Sequence, residues 1–240
     1  MTLRAVLFDV DGTLVDHDAA QEAGLHAVLT ADGLVADSAA RARWNDLVDT
    51  HYARYLDGEL TFDEQRRERV RAMTGRVMTD EAADAWVARN VAGFEAALVL
   101  FDDVLPTLDR LAGLVPGLRL GAFSNVSGTF TRRKLEIVGL LDRFDAVLGI
   151  EDVGAPKPGP EPFWALCRAL DVEPGQALHV GDRWAIDGAA ARDAGLLGVW
   201  LDRPSADPAG RRPPPGSTAT DTVPVVHTLL ELVDLVAGVA

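Results

Sequence analysis

One cysteine, Cys167, stands in 240 residues. A lone thiol excludes an internal disulfide framework and any zinc site built on cysteines. Lysine is almost as scarce. Of 23 basic residues only Lys134 and Lys157 are lysines, and the rest are arginines. Basic charge as a whole is in deficit: 37 acidic residues give a net charge of −14 and a pI near 4.7. A general nucleic-acid binder needs a basic footprint, so that class is not expected. A small anionic substrate remains compatible, because a local positive site can exist on an acidic protein. No apolar run approaches the ~18 residues of a membrane-crossing helix, so no membrane partner is expected. The first residues lack the charged start, apolar stretch and cleavage site of a secretory signal. A cytoplasmic protein, monomer or homodimer, is the expectation. What the chain does have is apolar bulk, 48% hydrophobic against 25% charged. That composition belongs to soluble globular proteins with core enough for one large domain or two modest ones.

Read along the chain, Leu3–Phe8 is short, partly β-branched and nearly all apolar, the pattern of a buried parallel strand. It runs into the polar turn Asp9-Val10-Asp11-Gly12-Thr13. From Asp18 to about Ala97 apolar residues recur at helical spacing, which predicts helices over 18–31, 38–57, 61–73 and 80–97. Asp37-Ser38, Thr61 with Glu64, and Thr79 with Asp80 read as N-terminal caps, and Gly33, Gly58 and Gly75 punctuate the ends. After Leu98 the texture alternates. Helices near 103–113, 127–138, 160–170 and 184–194 separate strands Leu118–Phe123, Ala146–Ile150, Ala177–Val180 and Gly198–Leu201. Arg203–Thr222 reads as a long exposed loop. Strand Val223–Val226 and a helix to about Val236 close the chain. Alternating strands and helices predict an α/β fold, a doubly wound Rossmann-like parallel sheet. Residues 1–15 and 99–240 would form this core, with an all-helical insert at 16–98.

In open α/β sheets ligands sit beyond the carboxyl ends of the strands. The polar residues that follow the predicted strands are therefore the candidates. Asp9 and Asp11 follow the first strand, Ser124 and Asn125 the second, Lys157 the third, and Asp182 with Asp187 the fourth. In extended backbone, residues two apart point to the same side, so Asp9 and Asp11 can face one reacting centre in different roles. One carboxylate can act as nucleophile and the other can carry a proton to a leaving group. A carboxylate attacking a phosphate dianion needs positive charge nearby. Asp9 and Asp182, with backbone carbonyl and water, offer the oxygen set that suits Mg²⁺. Lys157 adds a second positive charge, while the Ser124 hydroxyl and backbone N–H groups near Asn125 suit phosphoryl oxygens.

This order of residues resembles the haloacid dehalogenase-like hydrolase superfamily. Its DxDGT motif is Asp9-Val10-Asp11-Gly12-Thr13, and its strand ending in Ser or Thr is Leu120–Ser124 followed by Asn125. Its lysine before proline is Lys157-Pro158, and its GD motif with a second aspartate is Gly181-Asp182 to Asp187. The insert stands where the helical-cap subclass, whose members include phosphatases, places its cap. The resemblance implies that Asp9 is nucleophile and Mg²⁺ ligand. Asp11 becomes general acid/base and lends its backbone carbonyl to the metal. Thr13 supports the nucleophile loop on the substrate side, and Ser124, Asn125 and Lys157 bind the transferred phosphoryl group. Asp182 ligates the metal and Asp187 supports its shell. One departure is Ile186, where relatives often carry Asn.

The function so implied is Mg²⁺-dependent hydrolysis of a small phosphate monoester through an aspartyl-phosphate on Asp9. A 2-haloacid dehalogenase, a phosphosugar mutase and a non-catalytic relative are the alternatives. Dehalogenases of this kind usually replace the second aspartate, so Asp11 speaks against that reading. Cys167 is expected in the core beside Phe163, Leu166 and Leu170, and His179 as a packed strand residue. Arg66, Arg67, Arg69 and Arg71 read as a solvated helix face, and Asp16, His17 and Trp44 as candidates to line the cap interface. No GxxxxGK, HExxH or GxSxG motif occurs, so P-loop, zinc-helix and serine-hydrolase chemistry lack support.

Overall fold

The apolar run at the start of the chain forms strand β1, Ala5–Asp9, buried along its whole length in a computed structural model. The structure describes residues 2–203, 212 and 223–239. Around β1 lie β2 (Arg119–Ser124), β3 (Ala146–Gly149), β4 (Ala177–Gly181), β5 (Leu197–Leu201) and β6 (Val225–Val226). They form one parallel sheet in the order β3-β2-β1-β4-β5-β6. The chain steps from β1 to β2 to β3 on one side, then crosses to place β4 on the other side of β1. The order therefore reverses at β1, which opens a crevice at the carboxyl ends of β1, β2 and β4. Two compact units result, Met1–Asp16 with Val99–Ala240, and His17–Leu98.

In the sheet unit, helices α5 (Val104–Leu114), α6 (Gly128–Ile137), α7 (Ile150–Val153), α8 (Glu161–Ala169), α9 (Ala189–Asp193) and α10 (Leu229–Val239) connect or flank the strands. On one side Leu7 and Phe123 pack with Phe163, Leu166, Cys167 and Leu170, so the lone cysteine is a core residue. Burial pushes its thiol up to about 11, which keeps it protonated and unreactive. The chain leaves this unit and returns to it side by side. Val15 bridges Leu100 in antiparallel fashion, and Asp16 N donates to Val99 O at 3.0 Å.

The other unit consists of α1 (His17–Ala31), α2 (Ser38–Leu56), α3 (Phe62–Thr74) and α4 (Asp80–Ala97). The local signals act as their chemistry requires. Asp37 caps α2 through Ala40 N, Thr61 and Glu64 form a reciprocal box at α3, and Thr79 caps α4 through Ala82 N. Leu25, Val28, Leu29, Trp44, Val70, Met73, Ala83 and Trp86 form a core of its own. Each large apolar side chain buried there contributes about 1.5–3 kcal/mol.

Several sequence expectations need correction. Trp44 is buried in this helical core, 5.5 Å from Trp86 between ring centres. The solvated face expected of the four α3 arginines holds for Arg67 and Arg71, whose bonds to acidic partners lie at the surface, and fails for Arg66 and Arg69. Arg67 is paired with Asp84 and Asp80, and Arg71 with Asp80. Arg66 lies over Phe62, and Arg69 lies over Trp44, where burial lowers its guanidinium to about 10. The strand drawn to Ile150 stops at Gly149, because Ile150 starts α7. The helix drawn over 184–194 begins as a wide π turn, Trp184–Gly188, before α9 takes over. The loop drawn over Arg203–Thr222 lies mostly outside the described residues. No helix among the described residues is long and apolar enough to cross a membrane.

Helices α1 and α4 touch through glycine. A Cβ on Gly24 would stand 2.7 Å from Asn90 O and 2.8 Å from Phe94 N, both main-chain atoms that cannot swing aside. Gly24→Ala is expected to destabilise the protein by about 1–3 kcal/mol through overpacking, measured by urea unfolding. An unchanged midpoint would mean that these backbones do not meet so closely.

Candidate active site

The crevice at the reversal point receives its side chains from four chain segments. β1 ends in Asp9, and the following turn carries Asp11 with Gly12 at φ +84°, a conformation that glycine adopts without strain. β2 ends in Ser124. The loop after α7 carries Lys157, and β4 leads through Gly181 to Asp182 and into the π turn that holds Asp187. Such turns recur at functional sites because they re-aim a side chain off the regular helix. Gly181 makes room for it. A Cβ there would lie 2.2 Å from Asp187 Cγ.

Lys157 is the hub. Its Nζ donates to Asp9 Oδ1 at 2.8 Å and to Asp187 Oδ1 at 2.6 Å, with the lysine side chain 2% exposed. Thr13 Oγ1 donates to the other Asp9 oxygen at 3.1 Å. Asp187 also accepts from Arg183 N at 3.0 Å and pairs with His179 Nε2 at 3.1 Å. Burial lowers the pKa of His179. A neutral imidazole with its proton on Nε2 fits this contact, and the histidine is a packed residue that serves Asp187. Asn125 clasps the Lys157 main chain at both ends, Nδ2 to Lys157 O at 2.8 Å and Lys157 N to Oδ1 at 2.9 Å. Its side chain therefore holds the lysine loop in place.

The electrostatics follow from this wiring. Burial raises the Asp9 carboxyl to about 6; Lys157 pulls it down, and Asp187 and Asp11 push it up. Burial also opposes the charge on Asp187, yet Lys157 and His179 outweigh it and hold that carboxyl well below the usual range. Burial alone would discharge Lys157. The two carboxylates keep its ammonium above its ordinary pKa.

Asp9, Asp182 and Asp187 are buried, and each offers one carboxylate oxygen within 4.8 Å of the others. Three hard oxygen donors from carboxylates are the ligand chemistry of Mg²⁺ rather than of soft metals. Asp11 does not join this trio with its side chain. It turns instead to Ser124, whose Oγ donates to Asp11 Oδ2 at 2.7 Å, and to Lys134, whose Nζ lies 2.5 Å from both carboxylate oxygens.

Of the residues singled out from the sequence, Asp9, Asp182, Asp187, Lys157 and Thr13 meet directly. Asp11 and Ser124 pair beside them, and Asn125 stands behind Lys157. Lys134 was not among them. It is the third member of the basic run Arg132-Arg133-Lys134 on α6, which hides it among surface charge. The available signal was its type, since the chain's only two lysines both pair with aspartates of the site.

Gly181→Ala is expected to displace Asp187 and cost about 1–3 kcal/mol, together with weaker Mg²⁺ binding. Urea unfolding and calorimetric titration measure the two. Wild-type values for both would show that Asp187 does not depend on this close approach.

Comparison with known proteins gives a consistent result. The haloacid dehalogenase-like hydrolase family matches residues 3–195. A glyceraldehyde 3-phosphate phosphatase of Methanopyrus kandleri is 30% identical over 207 residues, covering 84% of each chain. A phosphoglycolate phosphatase of Salmonella typhimurium is 31% identical over 209 residues, covering 83% of this chain and 81% of that one. Among solved structures, the magnesium-bound putative hydrolase YfnB of Bacillus subtilis superposes with a TM-score of 0.77 at 21% identity, covering 98% of this chain and 99% of that one. A 2-haloacid dehalogenase of Pseudomonas syringae gives 0.69 at 25% identity over the full length of both. With its motifs gathered on one rim of a parallel sheet, the chain belongs to the haloacid dehalogenase-like hydrolase family.

Proposed function

We propose that the protein is a Mg²⁺-dependent phosphatase of small phosphate monoesters that works through a phosphorylated Asp9. The observation that carries this reading is the pairing of Asp9 with Asp11 on one turn, the first wired to Lys157 and the second to Ser124 and Lys134. A dehalogenase needs only the first carboxylate. Two relatives are named as phosphatases of three- and two-carbon phosphates, which favours a small polar leaving group. The helical unit is proposed as the cap that sets selectivity.

The reaction is written in two halves. An Asp9 oxygen attacks phosphorus, and the bond from phosphorus to the leaving oxygen breaks. That oxygen keeps the electron pair and takes the proton that Asp11 carries when it enters the cycle in its acid form. Asp11, now a carboxylate, then receives a proton from water as the water attacks phosphorus. The bond between Asp9 and phosphorus breaks, its electron pair returns to the Asp9 carboxylate, and inorganic phosphate leaves. Lys157 offsets negative charge beside Asp9 throughout; the adjoining main chain holds phosphoryl oxygens, and the Ser124 hydroxyl joins it by turning its single O–H from Asp11 to the substrate. Asp9 and Asp182, with Asp187 behind them, would hold the metal; bound there, it polarises the phosphoryl oxygens.

Hydrolysis of p-nitrophenyl phosphate and of a panel of sugar and acid phosphates is expected with Mg²⁺ and is lost on chelation. Asp9→Asn is expected to lower kcat by about four orders of magnitude. Full activity in that variant, or halide release from a 2-haloacid without Mg²⁺, would overturn the reading. Calorimetry gives a second test. Asp9 must be ionised to ligate, and its carboxyl is raised to about 6. Mg²⁺ affinity is therefore steady above that pH and falls about tenfold per unit below it, with proton release on binding. Affinity that is flat down to pH 4 would exclude Asp9 from the metal site.

A further inference from the structure

We propose that Lys134 is a positioning residue that fixes the Asp11 carboxylate for proton transfer; this rests on the phosphatase reading above. Asp11 stands on a glycine-containing turn, so its own backbone does not immobilise its side chain. The restraint comes from the scaffold. Ser124 at the end of β2 donates to one oxygen, and Lys134, on the buried face of α6, reaches both. A donor shared by two oxygens of one carboxylate fixes its rotation as well as its location. Lys134 has a fully buried side chain, while that of Asp11 keeps 20% of its exposure towards the crevice. An ammonium withdrawn from water is strongly unfavourable unless it is paired, and the carboxylate partner of Lys134 is Asp11.

The choice of residue supports the same reading. The chain uses arginine at 21 of its 23 basic positions. Lysine offers a compact charge on a thin stem, which fits a buried path from mid-helix past Phe130 better than a planar guanidinium does. The two lysines also divide the work. Lys157 serves Asp9 and Asp187, and Lys134 serves Asp11. Small misplacement of a group that must meet a leaving oxygen costs about a hundredfold in rate. That cost appears only when the leaving group needs a proton.

The test is a cycle of the wild type, Lys134→Met, Asp11→Asn and the double variant, assayed with Mg²⁺ on p-nitrophenyl phosphate and on the best alkyl phosphate of a panel. Nitrophenolate leaves without help, whereas an alkoxide needs the proton. Lys134→Met is expected to lower kcat on the alkyl ester about a hundredfold, and on the nitrophenyl ester less than about tenfold, with KM little changed. The double variant is expected to be no slower than Asp11→Asn alone, because Lys134 acts through Asp11. Equal losses on both esters, or multiplied losses in the double variant, would overturn this role while leaving the phosphatase reading intact. A wild type inert towards every ester would end both. Should Lys134→Met fail to fold, Asp11→Asn and the double variant, which leaves no unpaired charge, still decide: equal rates support the role, and a slower double variant overturns it.

Discussion

Lys157 Nζ lies between two buried carboxylates that would otherwise repel each other. Remove that ammonium and Asp9 and Asp187 lose the charge that makes their shared burial tolerable, a loss of about 3–5 kcal/mol for a broken buried pair. The lysine is in turn held from behind, its loop clasped by Asn125 and its aspartate partner pressed against Gly181. The rim is thus a wired cluster, in which each charged group is held by its neighbours. The raised Asp9 carboxyl reports first its burial, which Lys157 offsets only in part, and then the nearby charges of Asp187 and Asp11.

The sheet supplies the other half of the arrangement. β1 is central and pairs with β2 on one side and β4 on the other, in registers that carry Asp9, Ser124 and Gly181 to the same edge. Those strands are buried along nearly all of their length. The side chains at their ends therefore stand on the least deformable part of the molecule.

Most of the fold was legible because strand and helix signals agreed with their punctuation. Thr61 with Glu64, Thr79 and the glycines at 33, 58 and 75 mark ends where the helices do stop or start. The errors arose where tertiary contact overrides local pattern. The π turn at Trp184–Gly188 comes from the approach of Asp187 to Gly181, which no periodicity announces. Trp44 and Arg69 go inward because they stack on one another. At the site, the residues that follow strands could be found from topology alone. Lys134 could not, because it arrives from mid-helix, and its partner stands 123 positions away. Asn125 could be found, but not its task, which is set by a loop 32 residues on.

The side-by-side passage of the chain at Val15 and Leu100 bears on how this molecule assembles. β1 must find β2 more than a hundred residues later, since Ala5 pairs with Arg119. Closing so long a flexible loop is slow and entropically unfavourable. His17–Leu98, however, has a core of its own and mostly local helix pairings. Once it has formed with its two ends together, the path that remains is only about a quarter as long, which relieves roughly 1–2 kcal/mol of closure entropy. An insertion that looks like a burden on a sheet protein thereby becomes the clamp that brings its first strand home.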